Sequence, residues 1–166
     1  AISEGEQYVL SFEIALENLN TDRYIDFRTA VDGTPGKTAV GLQLLSTGAL
    51  RAFNQQVSLT ATGENVMLQP GTWYHFQLIF TAGSSDGATP NKATLYLNGQ
   101  PTNLSGFSFD ADANTAGMQK LDYFSAVRLI TAMKRSSSST SYAPTATYFD
   151  NLYAGAYGSG ETYAAS

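Results

Sequence analysis

The chain lacks several features that would assign it quickly to a known class. It contains no cysteine, so no disulfide can stabilise the fold. A single histidine argues against the usual zinc and copper sites, which need several His or Cys ligands. No Ser or Cys stands in a recognisable nucleophile motif, which argues against a catalytic triad. No signal peptide and no membrane-spanning apolar run is evident.

Charge is also scarce. Charged residues make up 14% of the 166 residues, against a usual share of about a quarter. The net charge is −5 and the nine Lys and Arg residues are scattered, which argues against nucleic acid as a partner and against membrane insertion or binding to an anionic membrane. Polar uncharged residues, ten tyrosines and nine phenylalanines fill the composition instead. Such a surface suits a hydroxyl-rich ligand better than a phosphate, and the length predicts one domain over residues 1–166.

Apolar residues alternate with a period of two in the clearest segments. Residues 7–17 place Leu10, Phe12 and Ile14 on one face, with Ser11 and Glu13 on the other. The segment Gly71–Gly99 reads as a strand, a polar loop and a second strand ending at Asn98-Gly99, a hairpin-turn dipeptide. Asp32–Gly36 reads as a loop. With turn signals every eight to twelve residues and no helical periodicity, the chain is predicted to be all-β, a sandwich of two antiparallel sheets.

Two short motifs in the central segment carry a family resemblance. The run WYHFQLIF (residues 73–80), followed by a variable loop and LYLNG (residues 95–99), resembles laminin-G-like and concanavalin A-like domains. The segments YVLSFEIAL and YFDNLYAGAYGSGETY resemble the first and last strands of that superfamily. The resemblance implies a jelly-roll sandwich that binds glycans in most members and cleaves them in some. It favours a non-catalytic, lectin-like carbohydrate-binding module of a secreted protein, extracellular or periplasmic.

The central hairpin supplies the candidate ligand-binding residues. If Tyr74 and Leu95 point into the core, several neighbours point outward together. These are Trp73, His75, Gln77 and Tyr96. Sugars are bound by an aromatic plate with amide, imidazole or guanidinium groups on their hydroxyls, and we expect Arg128, and also Arg28 and Arg51, to supply guanidinium groups. Trp73 has an alternative interpretation, as a packing anchor where the strand begins.

Two places suggest structural calcium. The loop residues Asp110, Asp112 and Asn114 present oxygen side chains at alternate positions, although turn geometry alone also favours Asp and Asn there. The second place follows from the resemblance, because related modules hold calcium between the first and last strands. There Glu13 or Glu17 would meet Asp150 and Asn151. In the alternative interpretation, Asp150 caps a turn or fixes the chain end by hydrogen bonds.

Two other functional classes remain open. Tyrosine-rich, weakly charged surfaces also suit protein interfaces, so a structural, adhesive or self-associating domain is the second hypothesis. A small polysaccharide lyase or glycoside hydrolase is the third. The residue types of a lyase are present, but the E-x-D-x-x-E string of related glucanases is absent, and Glu13 and Glu17 would lie roughly 13 Å apart along one strand. We therefore favour binding over catalysis.

Overall fold

Two antiparallel β-sheets form the part of the chain that the computed structural model describes. That part comprises residues 2–19, 21–31, 34–53, 58–59, 67–84, 86, 88–102, 107–108, 121–133 and 145–158. Within these ranges no helix is long and apolar enough to cross a membrane. The predicted all-β sandwich of two antiparallel sheets is confirmed.

The first sheet contains the N-terminal strand, the central hairpin and the C-terminal strand. Its strands are β1 (Gln7–Leu16), β6 (Tyr74–Thr81), β7 (Lys92–Leu97), β8 (Gln100–Pro101), β9 (Phe107–Ser108) and β11 (Thr147–Ala156). Their order is β11-β1-β6-β7-β8, with β9 also paired to β7. The first strand therefore lies between the last strand and the central hairpin.

The second sheet contains the remaining strands. These are β2 (Asp22–Val31), β3 (Thr34–Leu44), β4 (Leu50–Phe53), β5 (Ser58–Leu59) and β10 (Leu121–Met133), in the order β10-β2-β3-β4-β5. The predicted loop at Asp32–Gly36 is wrong for Thr34–Gly36, because β3 begins at Thr34, which pairs with Val31. Strand pairing outweighs the turn preference of Pro35 and Gly36.

The core lies between the sheets and follows the alternation of β1. Leu10, Phe12 and Ile14 have no exposed surface and pack with residues of both sheets. The Phe12 ring lies 5.4 Å from the Phe76 ring and 6.2 Å from the Phe149 ring, centroid to centroid. Each buried side chain of this size contributes about 1.5–3 kcal/mol. The same alternation leaves the odd-numbered residues of β1 on the outer face.

A buried arginine links the two sheets at one end of the core. Arg23 of β2 is 1% exposed, and its Nε donates to Oγ1 of Thr147 at 2.6 Å. Its other nitrogens donate to Oγ1 of Thr145 at 2.8 Å and to the carbonyl of Thr21 at 3.0 Å. Burial lowers the pKa of Arg23, while the charges of Asp22 and Glu17 act to raise it. These bonds fix the beginning of β11, the last strand of the first sheet.

Candidate functional site

The outer face of the first sheet carries a regular array of aromatic and polar side chains. Residues directly opposite each other in neighbouring antiparallel strands share a face of the sheet. The pairings of β1 with β6 and with β11 therefore sort this face into rows that run across three strands. We name three of them. The aromatic row is Tyr148, Ala15 and Trp73; the acidic row is Asp150, Glu13 and His75; the amide row is Tyr153, Ser11, Gln77 and Tyr96.

The aromatic row consists of two exposed rings on either side of a small residue. Ala15 pairs with Tyr148, and Trp73 continues β6 opposite Ala15, because the next residue, Tyr74, pairs with Ile14. Trp73 and Tyr148 are each 52% exposed, whereas Ala15 is 5% exposed. Strands in a sheet are about 4.8 Å apart, so the two rings belong to strands about 10 Å apart. The exposure of Trp73 rules against its interpretation as a buried packing anchor.

The acidic row places two carboxylates side by side. Glu13 lies directly opposite both Asp150 and His75. Asn151 binds both carboxylates, since its side-chain Nδ2 donates to Oε2 of Glu13 at 2.9 Å and its backbone N–H donates to Oδ1 of Asp150 at 2.8 Å. One oxygen of each carboxylate therefore accepts a hydrogen bond from Asn151. The other oxygens have no hydrogen-bond partner among the described residues.

Asn151 has an unusual backbone that explains this arrangement. Its φ is 51°, in the left-handed region, which costs a non-glycine residue about 1–2 kcal/mol. The β1–β11 register shifts between Ser11 and Glu13, which marks a bulge in β11 at this point. Regular alternation would put Tyr148 and Tyr153 on opposite faces. The bulge brings both onto the outer face.

The backbone of His75 forms two hydrogen bonds with Asn98, whereas Nδ1 of its ring forms none among the described residues. Its N–H donates to Oδ1 of Asn98 at 2.9 Å, and its carbonyl accepts from the N–H of Asn98 at 2.8 Å. The ring atom Nδ1 is buried and has no hydrogen-bond partner among the described residues. An unsatisfied buried polar atom costs about 1–3 kcal/mol. The turn thus fixes the backbone of His75, while Nδ1 of its imidazole has no partner among the described residues.

The amide row combines a buried serine with tyrosines that pack over the neighbouring row of Gly155, Val9 and Ile79. Ser11 is completely buried although it lies on the outer face, between Tyr153 and Gln77. The Tyr153 ring lies over Gly155, where an added Cβ would come within 2.8 Å of the Tyr153 hydroxyl oxygen. Tyr96 packs against a small outer apolar cluster formed by Val9 and Ile79. This row is therefore less open than the aromatic row.

The structure brings together most of the predicted ligand-binding residues, with one correction. Trp73, His75, Gln77 and Tyr96 share the outer face, as predicted. Arg128 does not join them, because β10 pairs with β2 in the second sheet. There its Nε donates to Oδ1 of the buried Asp26 at 3.1 Å. Arg28 and Arg51 also belong to strands of the second sheet, so the expected guanidinium groups are absent from this face.

The predicted calcium ligands at the termini are neighbours. Glu13 meets Asp150 and Asn151, whereas Glu17 accepts a hydrogen bond from the N–H of Ala146 at 2.7 Å. In the described ranges, no three His, Cys, Asp or Glu side chains are grouped closely enough to hold a metal ion. Asp110, Asp112 and Asn114 lie outside the described residues. Calcium binding at either place stays a prediction.

The sequence analysis did not include four residues of this face among the candidate ligand-binding residues: Ala15, Ser11, Tyr148 and Tyr153. The alternation of residues 7–17 already places Ala15 and Ser11 on the outer face. Tyr148 and Asp150, two residues apart, signal a shared face of β11. Only Tyr153 had no local signal, because its orientation depends on the bulge at Asn151.

Comparison with known proteins supports the fold. No protein-family model and no curated protein matches the chain. Among solved structures, alginate lyase Aly36B is similar with a TM-score of 0.56 and 15% identity, over 92% of this chain and 70% of the lyase. Trypanosoma rangeli sialidase is similar in two complexes. The complex with 2,3-difluorosialic acid gives a TM-score of 0.51, and the complex with 2,3-difluoro-KDN gives 0.50. Both have 16% identity and cover 91% of this chain but 20% of the sialidase. The fold of this chain is therefore similar to that of most of the alginate lyase and of a small part of the sialidase.

Proposed function

We propose that this chain is a non-catalytic glycan-binding module of a secreted protein, and that it binds through the outer face of the first sheet. The observation that carries the proposal is the aromatic row, in which two half-exposed rings stand on either side of the buried Ala15. Exposed aromatic rings offer flat apolar surfaces to the C–H face of a sugar. The acidic and amide rows beside them supply hydrogen-bonding groups for its hydroxyls.

Catalysis is the weaker alternative on this face. Proton abstraction needs a positioned base within hydrogen-bonding reach of its partners. His75 has no tyrosine hydroxyl bound to it among the described residues, and its Nδ1 has no partner there. The similarity to lyase and sialidase folds keeps the alternative open. An assay for new reducing ends or unsaturated products, run on the same polysaccharides as the binding test, separates the two functions.

Affinity electrophoresis against a panel of neutral, amino and uronic polysaccharides tests the proposal. Trp73→Ala and Tyr148→Ala remove the exposed rings, and Met67→Ala is the matched control. Met67 is also 52% exposed, but it pairs with Ala49, outside the first sheet. We expect the wild type to bind at least one polysaccharide, both ring variants to bind it at least about tenfold more weakly, and the control to bind normally. Ring variants that bind like the wild type would show that the face is wrong.

Self-association has one specific observation in its favour. Leu152 is 48% exposed on β11, which lies at one edge of the first sheet in the described part of the chain. Exposed strands with apolar side chains can pair with another chain. Sedimentation at increasing concentration, with Leu152→Glu as the dissociating variant, tests this function. A monomer at all concentrations would exclude it.

A structural calcium is the proposed cofactor, at Glu13, Asp150 and Asn151 or in the segment with Asp110. An ion that binds only the native state raises its stability. We expect the melting temperature to rise with calcium and to fall with EDTA. Equal melting temperatures would exclude a stabilising metal.

A further inference from the structure

The charges on the outer face define the class of sugar that it suits. We propose that this face prefers glycans with free amino groups, such as oligomers of glucosamine, over their neutral and carboxylated counterparts. The inference rests on the proposed function, because it assigns a ligand class to the same face.

The first argument is the sign of the charge. The acidic row brings Glu13 and Asp150 together, and no Lys or Arg belongs to the three rows among the described residues. Within the described strands of the first sheet, the one lysine is Lys92, which pairs with Thr81. Thr81 lies six residues along β6 from His75, about 20 Å at the rise of a strand. A uronate carboxylate would therefore meet like charges here without a compensating cation.

The second argument is the state of the two carboxylates. Asn151 binds one oxygen of Glu13 and one of Asp150, which holds both groups in position. Their other oxygens have no partner among the described residues. An ammonium group has three donors and no acceptor, so it can bind both of these oxygens. Hydrogen bonds between charged groups are about twice as strong as neutral ones.

The third argument is the distance between the two rows. The acidic row lies two residues along the strands from the aromatic row, about 7 Å away. A sugar ring stacked on Tyr148 or Trp73 can therefore extend a substituent to the acidic row. His75, the third member of the acidic row, has a buried Nδ1 without a partner in the described ranges. The row thus places the carboxylate oxygens of Glu13 and Asp150 that accept no hydrogen bond from Asn151 next to the stacking surface.

Calorimetric titration with three oligomers of equal length tests the inference. The probes are a fully deacetylated glucosamine hexamer, its N-acetylated form and an oligouronate, all in a slightly acidic buffer. We expect the amino oligomer to bind at least tenfold more tightly than the acetylated form, about 1.4 kcal/mol, and its affinity to fall with added salt. The oligouronate should bind most weakly.

Three charge-removing variants locate the preference. Glu13→Gln and Asp150→Asn should each weaken binding of the amino oligomer several-fold more than binding of the acetylated oligomer, so that the ratio of amino to acetylated affinity falls. Glu17→Gln is the matched control. It also removes one carboxylate charge, but Glu17 lies just beyond β1, belongs to none of the three rows and accepts a hydrogen bond from the N–H of Ala146. The control should keep the wild-type ratio.

The outcomes separate this inference from the proposed function. Equal affinity for the amino and acetylated oligomers, or tighter binding of the oligouronate, would overturn the amino-sugar preference while glycan binding stands. A rise in melting temperature with calcium that Glu13→Gln abolishes would also overturn it, because the two carboxylates would then hold the metal and not an ammonium group. Failure of all three oligomers, together with an empty polysaccharide panel, would reject both.

Discussion

Replacing Thr147 by valine tests whether the buried Arg23 holds the last strand in place. Valine keeps the shape of threonine but removes the oxygen that accepts the 2.6 Å hydrogen bond from Nε of Arg23. The guanidinium is 1% exposed, so the lost bond is not readily replaced by bulk water. Since β11 carries Tyr148 and Asp150, the same bond also supports the binding face.

The expected cost follows from the charge of the donor. A hydrogen bond to a charged group is worth about 1.5–3 kcal/mol, and a buried donor left unsatisfied costs a similar amount. We therefore expect Thr147→Val to lower the free energy of unfolding by about 2 kcal/mol. For a chain of 166 residues this corresponds to a fall of about 4–8 °C in the melting temperature.

A double-mutant cycle with Arg23→Met isolates the interaction. Methionine removes the charge and all three hydrogen bonds while it keeps an unbranched side chain. In the Arg23→Met background, Thr147→Val should cost close to nothing, which gives a coupling of about 2 kcal/mol in urea unfolding. If Thr147→Val costs the same in both backgrounds, Arg23 does not hold β11 through this bond and the reasoning is wrong.

Four further predictions concern single residues. His75→Phe should raise the free energy of unfolding by about 1 kcal/mol, since it removes the unsatisfied Nδ1, and it should also weaken glycan binding. Gly48→Ala should cost at least about 2 kcal/mol, because φ is 89° and the new Cβ would lie 2.8 Å from the backbone oxygen of Leu68. Gly71→Ala, with φ of 75° and nothing within 4 Å, should cost about 1 kcal/mol. Burial, followed by the nearby Glu6, raises the pKa of Tyr8, so stability should fall as the pH rises above about 10, and less so in Tyr8→Phe.

Each of these predictions has a result that contradicts it. A lower melting temperature for His75→Phe would mean that the imidazole is satisfied in solution. Equal costs for Gly48→Ala and Gly71→Ala would show that the Leu68 backbone yields easily. For Tyr8, the sign follows from a phenol that binds its proton more tightly when folded, so identical alkaline unfolding of the wild type and Tyr8→Phe would exclude the effect.

Local sequence patterns determined where β1, β6 and β7 run and which side chains of β1 and β6 lie on each face. The alternation of β1 and β6 assigns Phe12 and Phe76 to the core, and it places Trp73, His75 and Gln77 together outside. A period of two depends only on neighbours along the chain, so it can be read from the sequence alone. The resemblance of residues 148–163 to the last strand of the concanavalin A-like superfamily also placed Asp150 near Glu13, and the two residues do pair.

Tertiary structure alone decided where the arginines lie and which face Tyr153 occupies. Arg128 is excluded from the candidate site because β10 pairs with β2, and the choice of partner strand depends on contacts between distant segments. One bulge residue, Asn151, changes the orientation of every side chain after it in β11 and binds both carboxylates of the acidic row. A shift of one residue reverses the faces of a strand, and local alternation contains no information about where that shift occurs.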